Sequence, residues 1–274
     1  MIQSLNKGIS ILGCGWYGLA VAEKLAKNGY TVKGSTTTAE KQLVLKESSI
    51  IPYMVNFQET EEDFDPDFFN SEILIICIPP KRSTAEQHTF LAKIERIANA
   101  ASHSSIQNVI FISSTSVYGD LNAEVDENST PVPDTDSGKA ILKAESLLKE
   151  NTNFKTTIIR FGGLFGPNRN PGRFFAGKSA IPNGQAPVNL IHLSDCIGIT
   201  LKILEKSAFG YTYNACSAEH PSRAVFYTNA AIHSGMDPPQ FKDELLNWKQ
   251  VNSIMLNEKL NYNFEVKLNA VVRQ

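Results

Sequence analysis

Four stretches of this chain carry residue types at spacings that could do chemistry. Gly13-Cys14-Gly15-Trp16-Tyr17-Gly18 is a G-x-G-x-x-G run. Residues 113–119 read SSTSVYG, and so bring Ser113, Ser114 and Tyr118 together. His192 stands three residues before Asp195. Residues 136–145, DSGKAILKAE, open a helical pattern with Lys139 and Lys143 and contain no tyrosine. Hydroxyls, a phenol and an imidazole orient substrates and move protons. A glycine loop between a strand and a helix holds phosphates.

The glycine run sits where that reading needs it. ISIL at 9–12 reads as a buried strand, and residues 17–27 as a helix ended by Asn28-Gly29. The first glycine, Gly13, allows a tight turn. Gly15 lets the backbone approach a pyrophosphate, and Gly18 lets the helix pack on the strand. Trp16 and Tyr17 open the helix, whose first amides face the phosphates. About 20 residues on, an NAD site keeps an acid for the ribose. Here the second strand ends Ser35-Thr36-Thr37-Thr38, with Lys33 and Lys41 nearby. Hydroxyls and lysines suit a 2′-phosphate, so the expected cofactor is NADP or NAD, with NADP favoured. The same Ser/Thr run also suits the cap of the next helix.

The positioning elements alternate. Strands are expected at 9–12, 30–34, 53–57, 73–78, 108–113 and 155–161, and helices at 17–27, 39–48, 84–101 and from 136. Continuous apolar strands separated by helices indicate an α/β fold, a Rossmann-type doubly wound parallel sheet. Pro79-Pro80 closes the fourth strand, and Pro79 and Ser113 lie at strand ends facing the ligand crevice. From about residue 162 the texture turns to Gly, Pro and Asn. GGLFGPNRNPGRFF reads as loop, NLIHL at 189–193 as a strand, residues 194–206 as a capped helix and YTYNA at 211–215 as another strand. The expected organisation is a dinucleotide-binding domain over 1–161, completed by about 186–216. A small substrate or cap region, helical towards its end, takes 162–185 and 217–274.

Composition narrows the classes. The chain has 274 residues, is 42% hydrophobic and 20% charged, and has a formal net charge of −2. Such a balance offers no attraction for nucleic acid or an anionic membrane surface. The acidic run from Glu59 to Asp67 reads as a solvated loop. The cysteines at 14, 77, 196 and 216 lack metal-ligand spacing and suit free thiols, so no metal site is expected. The first residues show no secretory h-region, and the longest apolar run is too short to span a bilayer, so a cytoplasmic location is expected.

Taken together, GCGWYG, SSTSVYG, the EVDENSTPVP loop, RFGGLFGP at 160–167 and VNLIHLSDCI at 188–197 resemble the extended short-chain dehydrogenase/reductase superfamily. Within it, the chain resembles an atypical nucleoside-diphosphate-sugar epimerase/dehydratase. The resemblance implies that Ser114 hydrogen-bonds the substrate hydroxyl or carbonyl. It also implies a Tyr-x-x-x-Lys pair on the following helix, with the tyrosine moving a proton while hydride moves to or from the nicotinamide. Alignment places Ser137 at the tyrosine and Ile141 at the lysine, so both are missing. A slip pairing Thr135 with Lys139 offers only a weakly acidic hydroxyl. Gly163 stands where many relatives keep an asparagine for the sugar nucleotide.

Substitute acid–base candidates are Tyr118 and His192, and Arg173 is a candidate for binding a substrate phosphate or carboxylate. Asp195 or Ser194 is expected to cap the helix that follows. The expected function is an NAD(P)-dependent oxidoreductase or epimerase with a non-standard active site, acting on a small molecule such as a nucleotide sugar. The competing readings are a non-catalytic NADP(H)-binding sensor and a purely structural interaction protein. A homo-oligomer is compatible with the sequence; nucleic acid and membrane partners are not expected.

Overall fold

The computed structural model describes residues 8–80 and 84–268. Along them run β1 (Gly8–Leu12), α1 (Trp16–Lys27), β2 (Thr31–Thr36), α2 (Ala39–Glu47), β3 (Ile51–Phe57), β4 (Glu62–Phe64), β5 (Ile73–Ile76), α3 (Thr84–Ser102) and β6 (Asn108–Ser114). They continue with β7 (Ala123–Val125), α4 (Asp136–Glu150), β8 (Lys155–Phe161), β9 (Gly163–Phe165), β10 (Leu190–His192), α5 (Leu193–Glu205), β11 (Thr212–Ala215), α6 (Arg223–His233) and β12 (Lys249–Val251).

Eight strands form one sheet in the order β11-β8-β6-β5-β1-β2-β3-β4. β1 pairs in parallel with both β2 and β5, and β2–β3 and β5–β6 are also parallel. The chain winds outward from β1 to β3, then returns to β5 and winds the other way. That reversal puts a ligand crevice beyond the C-terminal ends of β1 and β5. The strands at the centre are apolar on both faces: Ile9, Ile11, Leu74, Ile75, Val109 and Ile110 are fully buried. A parallel sheet covered on both sides requires this.

The chain divides into two compact units. One takes in residues up to Ser113, Thr135–Ile159 and Ile203–Thr212; the other takes in Ser114–Asp134, Arg160–Lys202 and residues from Tyr213 onward. The second unit contains two small parallel pairs, β9 with β10 and β7 with β12. Its apolar centre joins Phe165, Val188, Leu190, Phe226 and Leu268. Nearby, the Arg223 guanidinium lies over the rings of Phe175 and Phe241 and donates to the carbonyl of Pro182.

Several expectations change. The acidic run is not a plain loop: β4 pairs antiparallel with β3, and Phe64 packs against Phe57 and Phe69. Three aromatic rings outweigh the surrounding charge there. GLF at 163–165 is a strand rather than loop, because β10 offers it a ladder; β10 itself lies outside the central sheet. AEV at 123–125 is likewise a strand. The region after 219 contributes one α-helix, α6, and a single π turn at Leu256–Leu260 among the described residues. In α1 the buried stripe is Tyr17, Gly18, Val21, Ala22 and Leu25, so Leu19 and Ala26 lie at its margin.

α4 begins as the sequence suggests. The Thr135 side chain accepts from the Gly138 amide at 3.1 Å, and Gly138, Ile141, Ala144, Glu145 and Leu148 are buried. Thr135→Ala removes that cap, and we expect it to lower unfolding free energy by about 1 kcal/mol in urea titrations.

Candidate functional site

The glycine loop is held by steric necessity. Gly13 has φ +99°, the left-handed region, and a Cβ on it would lie 2.9 Å from Ile78 Cγ2. A Cβ on Gly18 would lie 2.1 Å from the carbonyl oxygen of Gly13. Only glycine allows α1 to start that close to the end of β1. A Cβ on Gly15 would meet nothing within 4 Å. The space above the helix N-terminus is therefore open at the position where a pyrophosphate has to approach.

The tip of β2 clasps this loop. The Gly13 amide donates to Ser35 Oγ at 2.8 Å, and the Cys14 amide donates to the Ser35 carbonyl at 3.1 Å. Gly15 caps α1 without a side-chain bond, and no acidic residue occupies the first turn. The helix dipole there is thus uncompensated by its own sequence, which favours an anion. The residues present fit the diphosphate of a dinucleotide.

A cavity of about 280 Å³ extends from the loop, with Gly13, Gly15, Ser35, Thr36, Lys41, Phe57, Pro79 and Phe90 among its walls. A second cavity of about 300 Å³ adjoins it, and Trp16, Leu19, Thr36, Lys41 and Val44 help to line it. Tyr17 is buried in the packing of α1. Lys33 differs from expectation: its Nζ is 2.9 Å from Asp67 Oδ2 and 3.0 Å from the Asn70 carbonyl, so it is committed to the sheet edge. Asp67, 34 residues downstream in sequence, draws it there. Burial pushes the Cys14 thiol up to about 12, which keeps it protonated and inert.

At the end of β6, Ser113 is buried and donates to the carboxylate of Glu145, itself 2% exposed. Ser114 Oγ accepts from the Ser116 amide at 3.1 Å, which turns the chain out of the strand. Tyr118 is 1% exposed. Its hydroxyl receives a hydrogen bond from Arg160 Nη1 at 2.6 Å, donates to the Asp126 carbonyl at 2.8 Å, and lies 3.2 Å from Asn214 Oδ1. Burial raises its pKa against the pull of Arg160. Asn214 continues the network: its amide donates to Glu127 Oε1 at 2.8 Å.

On α4, Ile141 is buried, while Lys143 is exposed. Lys139, also exposed, pairs with Asp136 at 3.3 Å. Thr135 Oγ1 caps the helix.

In the second unit, His192 Nδ1 lies 2.8 Å from Ser194 Oγ and accepts from the Ser194 amide at 3.2 Å. Asp195 does not cap α5. The helix already begins at Leu193, and the buried carboxylate accepts from the amides of Glu265 and Val266 at 2.7 and 3.2 Å and from the Tyr262 hydroxyl at 3.0 Å. Arg173 is exposed in a short 3-10 turn, Pro171–Arg173. The sequence reading had missed Glu145, Glu127 and Asn214. Nothing local marks them, since each finds its partner 32 or more residues away.

Among the described residues no helix is long and apolar enough to cross a membrane. The NAD dependent epimerase/dehydratase family matches residues 9–216. Protein YeeZ of Escherichia coli (strain K12) is 37% identical over 243 residues, 87% of this chain and 88% of its own length. UDP-glucuronic acid 4-epimerase from Bacillus cereus, solved in complex with NAD, superposes with a TM-score of 0.79 at 19% identity, covering 97% of this chain and 96% of that one. A conserved protein from Silicibacter pomeroyi superposes with a TM-score of 0.78 at 21% identity, over 97% and 96% of the two chains.

Burial lowers the pKa of both His192 and His220 below the ordinary 6.5, against weaker opposing pulls from nearby carboxylates and, at His220, its bond to Val188. His220 Nδ1 donates to the Val188 carbonyl at 2.9 Å, and its Nε2 is buried without a partner among the described residues. Below 6.5 the unfolded chain therefore binds more protons than the folded one. We expect unfolding free energy to fall as pH drops from about 7 to about 5. The slope should be shallower in His220→Gln, read from urea titrations at each pH.

Proposed function

Because this chain belongs to the NAD dependent epimerase/dehydratase family, we propose that it binds a nicotinamide dinucleotide and exchanges hydride with a sugar or carbonyl substrate. Its active site works without the tyrosine–lysine pair. The observation that carries this reading is the glycine-loop cleft, with its open space at Gly15 and its clasp at Ser35. The bound dinucleotide would supply the hydride donor or acceptor. Gly13, Gly15 and Gly18, with the first amides of α1 at Trp16 and Tyr17, hold the diphosphate. Ser35 and Thr36 flank the adenosine ribose, and Pro79 and Ser113 flank the rest of the cofactor.

Ser114 orients the substrate oxygen. Of the two acid–base candidates, Tyr118 is the weaker: its phenol already donates to Asp126, accepts from Arg160 and is made less acidic by burial. His192 is half-buried, and burial lowers its pKa below the ordinary value, which favours the ring as a proton acceptor. Arg173, exposed, is a handle for a substrate phosphate or carboxylate. A UDP-sugar is the first substrate to try, since the Bacillus cereus neighbour is a UDP-glucuronic acid 4-epimerase.

One observation favours a second reading. Ile141 is packed into the core at the lysine position, with Ser137 at the tyrosine position. That arrangement suits a dinucleotide-binding sensor which performs no turnover.

Incubation with reduced cofactor carrying deuterium at C4, in the presence of a panel of UDP-4-keto-sugars and small carbonyl compounds, separates the two. The enzyme reading expects label in the substrate. It also expects Ser114→Ala to lower kcat/KM by about 100-fold while dinucleotide binding is kept. Tight dinucleotide binding with no label transfer to any substrate would establish the sensor. Unchanged turnover in Ser114→Ala would overturn the role given to that serine.

A further inference from the structure

We infer that the glycine-loop cleft selects a dinucleotide with a phosphate on the 2′-oxygen of its adenosine ribose, and that Lys41 is the discriminating side chain. This rests on the reading above that the cleft holds a dinucleotide, and it departs from the NAD-bearing neighbour, with which this chain shares 19% identity.

The first support is the composition of the walls. Two lysines, Lys41 and Lys93, line the main cavity together with thirteen uncharged residues. The second cavity adds no acid. A free ribose diol is usually read by a carboxylate at the tip of the second strand. Here that tip is Ser35 and Thr36. Ser35 is fixed, because its hydroxyl and carbonyl are both occupied by the glycine loop. The residues after it, Thr36 and Thr37, therefore stand at a fixed place beside the phosphate cradle, and both line the main cavity.

The second support is the placement of Lys41. It lines both cavities, as do Cys14, Gly15 and Thr36. Those residues mark the common wall where the ribose end of a dinucleotide leaves the glycine loop. Lys33, the other lysine that the sequence offers, is held by Asp67 and Asn70 and cannot serve. Lys41 itself is exposed in the first turn of α2, and Thr38 caps that helix without a side-chain bond. A cation at a helix N-terminus opposes the helix dipole. With an anion bound in the adjoining wall, lysine and helix terminus act together instead of against each other. A phosphate meets both; a ribose hydroxyl meets neither.

The test is calorimetric titration of the full chain with NADPH, with NADH and with 2′,5′-ADP. We expect NADPH to bind at least about tenfold more tightly than NADH, through one charge-assisted contact, and 2′,5′-ADP to compete with NADPH where 5′-AMP competes poorly. Lys41→Gln should bring the two affinities within about twofold, and Lys41→Glu should invert their order. Lys46→Gln, in the last turn of the same helix and outside both cavities, should keep the wild-type ratio. Equal or tighter binding of NADH by the wild type would overturn the inference, as would an unchanged ratio in Lys41→Gln. Failure of every nucleotide to bind would instead overturn the dinucleotide reading on which it rests.

Discussion

The approach of α1 to the end of β1 is the contact on which the rest of the glycine-loop cleft depends. At Gly18 a single added methyl would sit 2.1 Å from a backbone oxygen, and neither backbone has a flexible group that could yield. Because the helix starts that close, its first amides point into the crevice where the sheet reverses its winding. The Gly13 and Cys14 amides are both engaged by Ser35, which ties the loop to the end of β2. The glycine-loop cleft is in this sense a by-product of how β1, α1 and β2 must pack. Its chemistry is then tuned by the few side chains that ring it.

The opposite holds for proton transfer. α4 keeps a good N-cap and a well-buried stripe, so nothing in the fold of the helix has suffered from the missing pair. The position that would carry a lysine belongs to the apolar core through Ile141. The polar groups near the end of β6 have been drawn into structure: Ser113 to Glu145, and Tyr118 to Arg160 and Asp126. A buried polar network is stable only when each member is satisfied, and Tyr118 is satisfied both as donor and as acceptor.

The sequence showed β5 and β6 as continuous apolar runs, ILII at 73–76 and VIFI at 109–112, and the alternation of strand and helix patterns marked the parallel sheet. It made the glycine loop legible through the G-x-G-x-x-G spacing between a strand and a helix, where Gly13 and Gly18 answer to steric demands and Gly15 leaves open space. The small pairings were hidden. β9 with β10 and β7 with β12 are three-residue ladders between segments far apart in the chain, and no local period announces them. The acidic run before Asp67 concealed β4 because its charge was more visible than Phe64. Lys33 misled for a related reason: a lysine near a strand tip looks available until a carboxylate 34 residues on claims it. The absent tyrosine and lysine, by contrast, were visible only through the family resemblance, by aligning its Tyr-x-x-x-Lys segment on the start of α4.

Asp195 carries a consequence for the order of events in synthesis. Its carboxylate is buried at the start of α5, yet the amide that serves it at 2.7 Å belongs to Glu265, 70 residues later. While the chain emerges from the ribosome, α5 can form but cannot close over a bare charge. The second unit must stay open and hydrated there until the segment around Tyr262 to Val266 arrives. In the first unit, β1, β2, β3, β5 and β6 pair with one another, and all five have been made before residue 115. The part of the sheet around the glycine loop can therefore assemble while the surroundings of Asp195 are still incomplete.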